Sequence, residues 1–377
     1  MDNSENTFET ITPKNTVKFH GKGSELFAID LLNAVLTIIT LGLYYPWAKA
    51  KKLKYVYQNT ALADSRFDFL GTGKEIFRGF IKALLILAIF YVLLYSLEFF
   101  LPQMQENEIL LAVFIVAVLL LVFVGFPFFM AYAMYGTFRY RAARSSWRGI
   151  LCGFDANKKE FISTYLKGYY FFTLAYGSII GIIIGAAFML ESYGQDAYID
   201  MAHPLLMALI IPLMFFAVYA SSWFQTKLYS ITYGNLRLGN LKLNFYGKVS
   251  NLFGIQLLGA MLSSLTFGIY YFWLKKNLYN FLIENLKVEQ DGNEYAVKST
   301  ISGGQVFRLE VGNILLLIFT LGLGYSWTYC RTANFITRNL IMPEEIDLNR
   351  IEQTEKTYTD ATGEGLSDMM DMGGIFF

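Results

Sequence analysis

Four long apolar runs, residues 80–101, 109–135, 169–190 and 204–222, constrain this chain more than any other feature. Each reaches the ~20 residues that a helix rising ~1.5 Å per residue needs to cross a ~30 Å hydrocarbon core. They predict an α-helical polytopic membrane protein. The charged fraction agrees: 16%, against the ~25% usual in soluble domains. A soluble globule, a disordered chain and a disulfide scaffold are excluded on the same ground.

The runs fall into two pairs. The loops inside the pairs, 102–108 and 191–203, carry no Lys or Arg. The flanking segments are basic. Residues 47–79 hold Lys49, Lys51, Lys52, Lys54, Arg66, Lys74 and Arg78, and residues 136–168 hold Arg139, Arg141, Arg144, Arg148, Lys158, Lys159 and Lys167. The positive-inside rule puts the basic segments, and with them the C-terminus, in the cytoplasm. Net charge is only +1, so no overall field draws in nucleic acid. Residues 343–377 are acidic and sparse in apolar residues, which predicts a disordered, dispensable tail able to meet a cytosolic partner. The first 16 residues are polar and carry no signal-peptide pattern. Cys152 and Cys330, His20 and His203 are spaced for no metal site, and no cofactor is expected.

Three stretches align without a gap: Leu26–Trp47, Leu252–Trp273 and Val306–Trp327. Thr40, Thr266 and Thr320 coincide in them, as do Gly42, Gly268 and Gly322. The chain is therefore expected to be built from internal repeats. Twelve residues after each Trp an Asn recurs, pairing Trp47 with Asn59, Trp273 with Asn285 and Trp327 with Asn339; Trp223 and Asn235 share the spacing. The basic, aromatic segment between them reads as an interfacial helix. Its Trp would lie at headgroup depth, and Lys49, Lys51, Lys52, Lys54 and the arginines Arg139, Arg141 and Arg144 would contact anionic lipid. The Asn is expected to end the helix in the left-handed conformation. Period-2 strands closed by glycines follow, as in Val17–Phe27 and Arg66–Phe77. Their GKG and GTG lack the strand–GxxxxGK[ST]–helix context of a phosphate loop, so they read as turn glycines.

The expected division is an arm at 1–16, a short-segment unit at 17–77, hairpin units at 78–161 and 162–251, two short units within 252–342, and the tail at 343–377. The motif TLGLYYPW (Thr40–Trp47), its copies at Thr266–Trp273 and Thr320–Trp327, and the FxFxGxG strands resemble the YjgN-type family of bacterial inner-membrane proteins. The resemblance covers residues 17–342. It implies a bacterial inner-membrane location and brings no assigned activity.

No GxSxG, HExxH, CxxC, Rossmann or Walker pattern occurs, so enzymatic chemistry is not expected. The alignment instead singles out polar groups three and six residues after the leading Phe: Asp30 and Asn33, Gln256 and Gly259, Glu310 and Asn313. Spacing i, i+3 puts each pair on one helix face. Asp30, Asn33, Gln256, Glu310 and Asn313 are therefore candidates for a solute or ion pathway, with a carboxylate ready to pair with a base such as Arg308. The bland alternative is capping near a helix N-terminus. A transporter or channel is the preferred expectation; a scaffold organising anionic lipid is the alternative. An oligomer stays open. The short segments either span, giving seven crossings, or re-enter; re-entry, which keeps every basic copy on one side, is favoured.

Overall fold

The computed structural model describes residues 15–104, 108–197 and 203–354. Its elements in chain order are β1 (Val17–Phe19), α1 (Gly23–Ile39), α2 (Tyr45–Gln58), β2 (Thr60–Leu62), β3 (Ser65–Phe69), α3 (Gly73–Met104), α4 (Glu108–Leu120) and α5 (Phe126–Ala143). Then come β4 (Ser145–Trp147), β5 (Ile150–Phe154), α6 (Lys158–Ala197), α7 (His203–Thr232), β6 (Leu236–Leu238), β7 (Leu241–Phe245), α8 (Val249–Leu265), α9 (Tyr271–Glu284) and β8 (Leu286–Gln290). The last are β9 (Asn293–Ala296), β10 (Lys298–Ser299), α10 (Gly303–Phe319), α11 (Tyr325–Arg338) and β11 (Leu340–Ile341). Among the described residues, four helices are long and apolar enough to cross a membrane.

Strands β1 to β9 pair in sequential order, each antiparallel to the next, and β10 pairs with β11. A bridge from Thr16 to Ile341 joins β11 to the start of β1, and only Val297 separates β9 from β10, so the sheet curls into a ring. Its connections alternate. Tight turns link β2 to β3, β4 to β5, β6 to β7 and β8 to β9. Positive φ at Ala63 and Asp64, Arg148 and Gly149, and Asp291 and Gly292 gives the primed turns whose twist suits a hairpin. At the opposite edge every connection is helical. The pairs β1/β2, β3/β4, β5/β6, β7/β8 and β10/β11 each bracket a helical hairpin. In an antiparallel meander those five hairpins must leave from one edge.

The hairpins differ in reach. In α1–α2, α8–α9 and α10–α11 the returning helix has 14 residues, about 21 Å at 1.5 Å per residue. In the other two the helices run to 32 and 40 residues, enough to cross a bilayer. The short hairpins turn back at Thr40, Thr266 and Thr320. Leu41, Phe267 and Leu321 have φ near +50°, and the glycine after each has φ near +90°. Each Thr hydroxyl donates to a carbonyl four residues back and accepts the amide four residues ahead: Leu36 and Tyr44 for Thr40, Leu262 and Tyr270 for Thr266, Leu316 and Gly324 for Thr320. The glycine amides bond Thr37, Ser263 and Leu317. These tips keep their backbone groups paired while exposing Leu41, Phe267 and Leu321 by 93%, 98% and 93%. That combination suits hydrocarbon, where an unpaired amide costs several kcal/mol.

Two expectations change here. The basic, aromatic segments after Trp47, Trp273 and Trp327 are returning limbs packed against the helix before them. Asn33 Nδ2, for example, donates to Ala48 O at 3.2 Å. The terminal asparagines are not left-handed: φ is −99°, −91° and −98° at Asn59, Asn285 and Asn339. They cap through the side chain instead, Nδ2 donating to the carbonyl four residues back at 2.7–2.9 Å in Asn59, Asn235, Asn285 and Asn339.

The ring has a filled core. Leu62, Trp147, Leu241, Val288 and Val297 converge on Ile346, Leu348 and Ile351. Residues 343–354, expected to be disordered, are therefore a strap across the turn edge. Asn15 Nδ2 donates to Pro343 O and Ile346 O, and Gln290 exchanges two hydrogen bonds with the Asp347 backbone at 2.9 Å. Asn240 does the same with Arg350 O and Glu352 N at 3.2 Å. The remainder of the expected tail, 355–377, and residues 1–14 of the arm lie outside the described residues.

Candidate functional site: polar seams of the helix ring

Neighbouring hairpins pack side by side, α2 on α3, α5 on α6, α7 on α8, α9 on α10 and α11 on α1, so the helices also close a ring. The seams begin with glycine. An added Cβ at Gly23 would enter the ring of Trp327, one at Gly73 that of Trp47, and one at Gly303 that of Trp273. None of these glycines has positive φ. The expected turn glycines thus act as sockets for the indole of the preceding hairpin. Phe27 and Phe77 complete the sockets at 4.9 and 5.1 Å from Trp327 and Trp47. Trp223 packs edge-on to Phe171 at 5.2 Å, within its own hairpin.

The candidate pathway residues lie higher on three of these seams, one set to each. Asp30 on α1 accepts from Lys52 Nζ at 3.1 Å and from Ser326 Oγ of α11 at 2.8 Å. Lys52 also sits over the rings of Tyr325 and Tyr329. Glu310 on α10 pairs with Lys275 of α9 at 2.5 Å. Gln256 on α8 accepts from Ser222 Oγ at 2.8 Å and donates to Gln225 at 3.0 Å, both on α7. The charges are thus neutralised seam by seam, by lysines and not by Arg308, whose Nε points to Gly304 O. The aligned positions were legible in the sequence; Lys275, Ser222, Gln225 and Ser326 were not, because each partner sits on the neighbouring hairpin.

One turn further along, Asn33 and Asn313 are 6% and 7% exposed. Each spends its amide nitrogen on a neighbour, Ala48 O and Thr332 Oγ1, both at 3.2 Å. Their buried Oδ1 atoms have no hydrogen-bond partner. A buried acceptor left this way carries a penalty of ~1–3 kcal/mol.

The expected lipid contacts divide. Lys51 and Lys54 are exposed and Lys49 half-buried, whereas Lys52 is committed to Asp30. Arg139 is exposed. Arg141 is buried in the ring, and Arg144 pairs with Glu75, which also accepts from Tyr140 at 3.1 Å. Arg144 ties α5 to α3 within its hairpin, and neither arginine is exposed. The His/Cys/Asp/Glu residues described form no group able to hold a metal ion.

A family model described as "Bacterial protein of unknown function (DUF898)" matches residues 14–183, 151–297 and 292–369. An inner membrane protein YjgN of Salmonella typhimurium is 24% identical over 388 residues, 91% of this chain and 92% of its own. The YjgN of Escherichia coli K12 is 28% identical over 184 residues, covering 49% of this chain and 40% of its own. No solved structure matches the chain.

Proposed function

This chain belongs to the DUF898 family of bacterial proteins of unknown function, and from that premise we propose that it is an inner-membrane scaffold that fills one leaflet more than the other. The observation that carries the reading is the turn-back of three hairpins at exposed apolar tips about 21 Å from the sheet. Two neighbouring hairpins pass through both leaflets, while three occupy only the leaflet beside the sheet. Unequal insertion displaces lipid on one side, which favours curvature and local thinning.

In this reading the sheet, the strap and the C-terminus are cytoplasmic, and the short hairpins re-enter. Every basic segment then obeys one rule. The hairpins are five copies of one strand–hairpin–strand unit. Support comes from one backbone bond repeated five times. The carbonyl ending each return, Asn59, Arg144, Asn235, Asn285 or Asn339, accepts the amide just past the opening strand, His20, Leu70, Asp155, Tyr246 or Thr300, at 2.7–3.0 Å. Anionic lipid is the partner at the exposed Lys51, Lys54 and Arg139.

Solute transport is the second reading, favoured by the unpartnered Asn33 and Asn313 oxygens. The neutralised carboxylates give it no cation-selective field. Sorting of fluorescent protein between a giant vesicle and a tube pulled from it tests the scaffold. Enrichment in the tube is expected. Even distribution, together with gradient-driven solute uptake that Asp30→Asn with Glu310→Gln abolishes, establishes transport instead.

A further inference from the structure

On the α5–α6 seam, which carries none of the candidate pathway residues, Phe128 of α5 and the outward face of α6 line an open groove of about 620 Å³. One wall is apolar, from Phe128, Ile162 and Leu166. The other carries Lys158, Lys159 and Lys167, with the Ser163 hydroxyl between them. We propose that this groove binds a phospholipid with two phosphates, of the cardiolipin class, by its headgroup and the first methylenes of its chains. The inference rests on the lipid-organising reading and adds to it a located site and a headgroup.

Charge comes first. None of the three lysines is ion-paired among the described residues, and all three are exposed. Lys158 has its ammonium 4.2 Å from the Tyr132 ring centroid, a contact that leaves its charge uncompensated. Spacing comes next. Lys158 to Lys167 spans about 13 Å of helix at 1.5 Å per residue. Side chains from both ends can close on two phosphates joined by a short linker, whereas a single phosphate leaves one end unused. Basic pockets between membrane helices at the cytoplasmic side suit such headgroups.

Depth and rigidity agree. Lys158 opens α6 beside the sheet, and Lys167 stands at the start of its apolar run, so the ladder covers the headgroup layer. Tyr170 closes the groove toward the hydrocarbon. Its hydroxyl donates to Phe123 O at 2.9 Å. That carbonyl belongs to a π-helical turn, Leu121–Gly125, whose wider winding leaves carbonyls free to accept such bonds. The wall is therefore set before any lipid arrives, which lowers the cost of ordering it on binding.

The test is native mass spectrometry of the full chain, released from zwitterionic lipid and offered cardiolipin, phosphatidylglycerol or phosphatidylethanolamine. Cardiolipin should bind at least tenfold more tightly than phosphatidylglycerol. Lys158→Gln, Lys159→Gln and Lys167→Gln together should remove that preference at an unchanged melting temperature. Lys248→Gln with Lys298→Gln, both exposed beside the sheet, should keep it. Leu166→Trp fills the groove without touching charge and should weaken cardiolipin as strongly; it decides the matter should the triple variant fail to fold. Undiminished cardiolipin binding in the triple variant, or in its stand-in, overturns the site. So does equal affinity for phosphatidylglycerol. Tube sorting of the same proteins keeps the two ideas apart. Normal sorting without lipid preference removes this site alone; preference without sorting removes the scaffold alone.

Discussion

At the residue scale, single atoms decide how the hairpins meet. Gly303 and Gly304 are adjacent in the first turn of α10, yet a Cβ at Gly303 collides with the indole of Trp273 while one at Gly304 meets open space. Gly303→Ala should therefore destabilise by ~1–3 kcal/mol, the usual cost of overpacking. Gly304→Ala should stay within ~0.5 kcal/mol of wild type, as surface changes do. Thermal unfolding in detergent compares them directly; equal losses would mean that the socket has no role. The Lys275–Glu310 pair gives a second contrast. Both side chains keep part of their exposure, so Lys275→Met should cost less than the ~3–5 kcal/mol of stranding a fully buried charge. Adding Glu310→Leu should restore most of the loss, because the stranded carboxylate goes too. A double-mutant cycle on melting temperature reads the coupling. Additive losses would show that the two side chains ignore each other.

At the element scale, the sequence displayed some features fully and hid others for physical reasons. The long hairpins and the short strands follow from run length and period-2 alternation, and both are present; the Thr–Gly tips were visible only as a repeated spacing inside segments read as continuous to the Trp. The segment Trp47–Asn59 was legible as a helix but not as a returning limb. A basic, aromatic segment has the same pattern whether it lies on a bilayer or against another helix, and only partners such as Asn33 decide. The sockets hid for a similar reason, since a glycine that makes room for an indole 26 or 30 residues before it, or 304 residues after it, looks like a turn glycine. The strap hid because its apolar anchors, Ile346, Leu348 and Ile351, are sparse in an acidic stretch. Those anchors reverse the expectation for truncation. Ending the chain after Met342 should expose Trp147, Leu241 and Val288, strip Gln290 and Asn240 of their partners, and lower the melting temperature. Ending it after Thr354 should leave melting unchanged. Protease cleavage at the turns Arg148–Gly149 and Gly239–Asn240 supplies an independent reading, faster only in the shorter protein. If both truncations melt like the full chain, the strap does not hold the ring.

At the scale of the whole molecule, closure determines sidedness. The bridge from Thr16 to Ile341, the Phe27–Trp327 contact and the Ser326–Asp30 bond tie the first hairpin to the last. In a closed antiparallel ring the tight turns occupy one edge and the helical hairpins the other, so no strand can reverse without breaking pairs on both sides. A seven-span topology needs such a reversal, because it carries residues 275–306 to the opposite face of the membrane from Arg66. The ring forbids it: β7 pairs with β8 on either side of α8–α9, and Phe245 faces Leu286 in that ladder. The prediction is that single cysteines at Asp64, Asn240 and Asp291, placed in a Cys152→Ser, Cys330→Ser background, all share one accessibility. A membrane-impermeant thiol reagent added to intact cells should label none of them, and added to inverted membrane vesicles should label all three. A cysteine at Phe267 should resist the reagent from both sides and be quenched by spin-labelled lipid, as the proposed re-entrant hairpin requires. Labelling at Asp291 from outside with Asp64 silent would split the ring across the bilayer. The re-entrant hairpins, and the one-sided insertion built on them, would then be lost together.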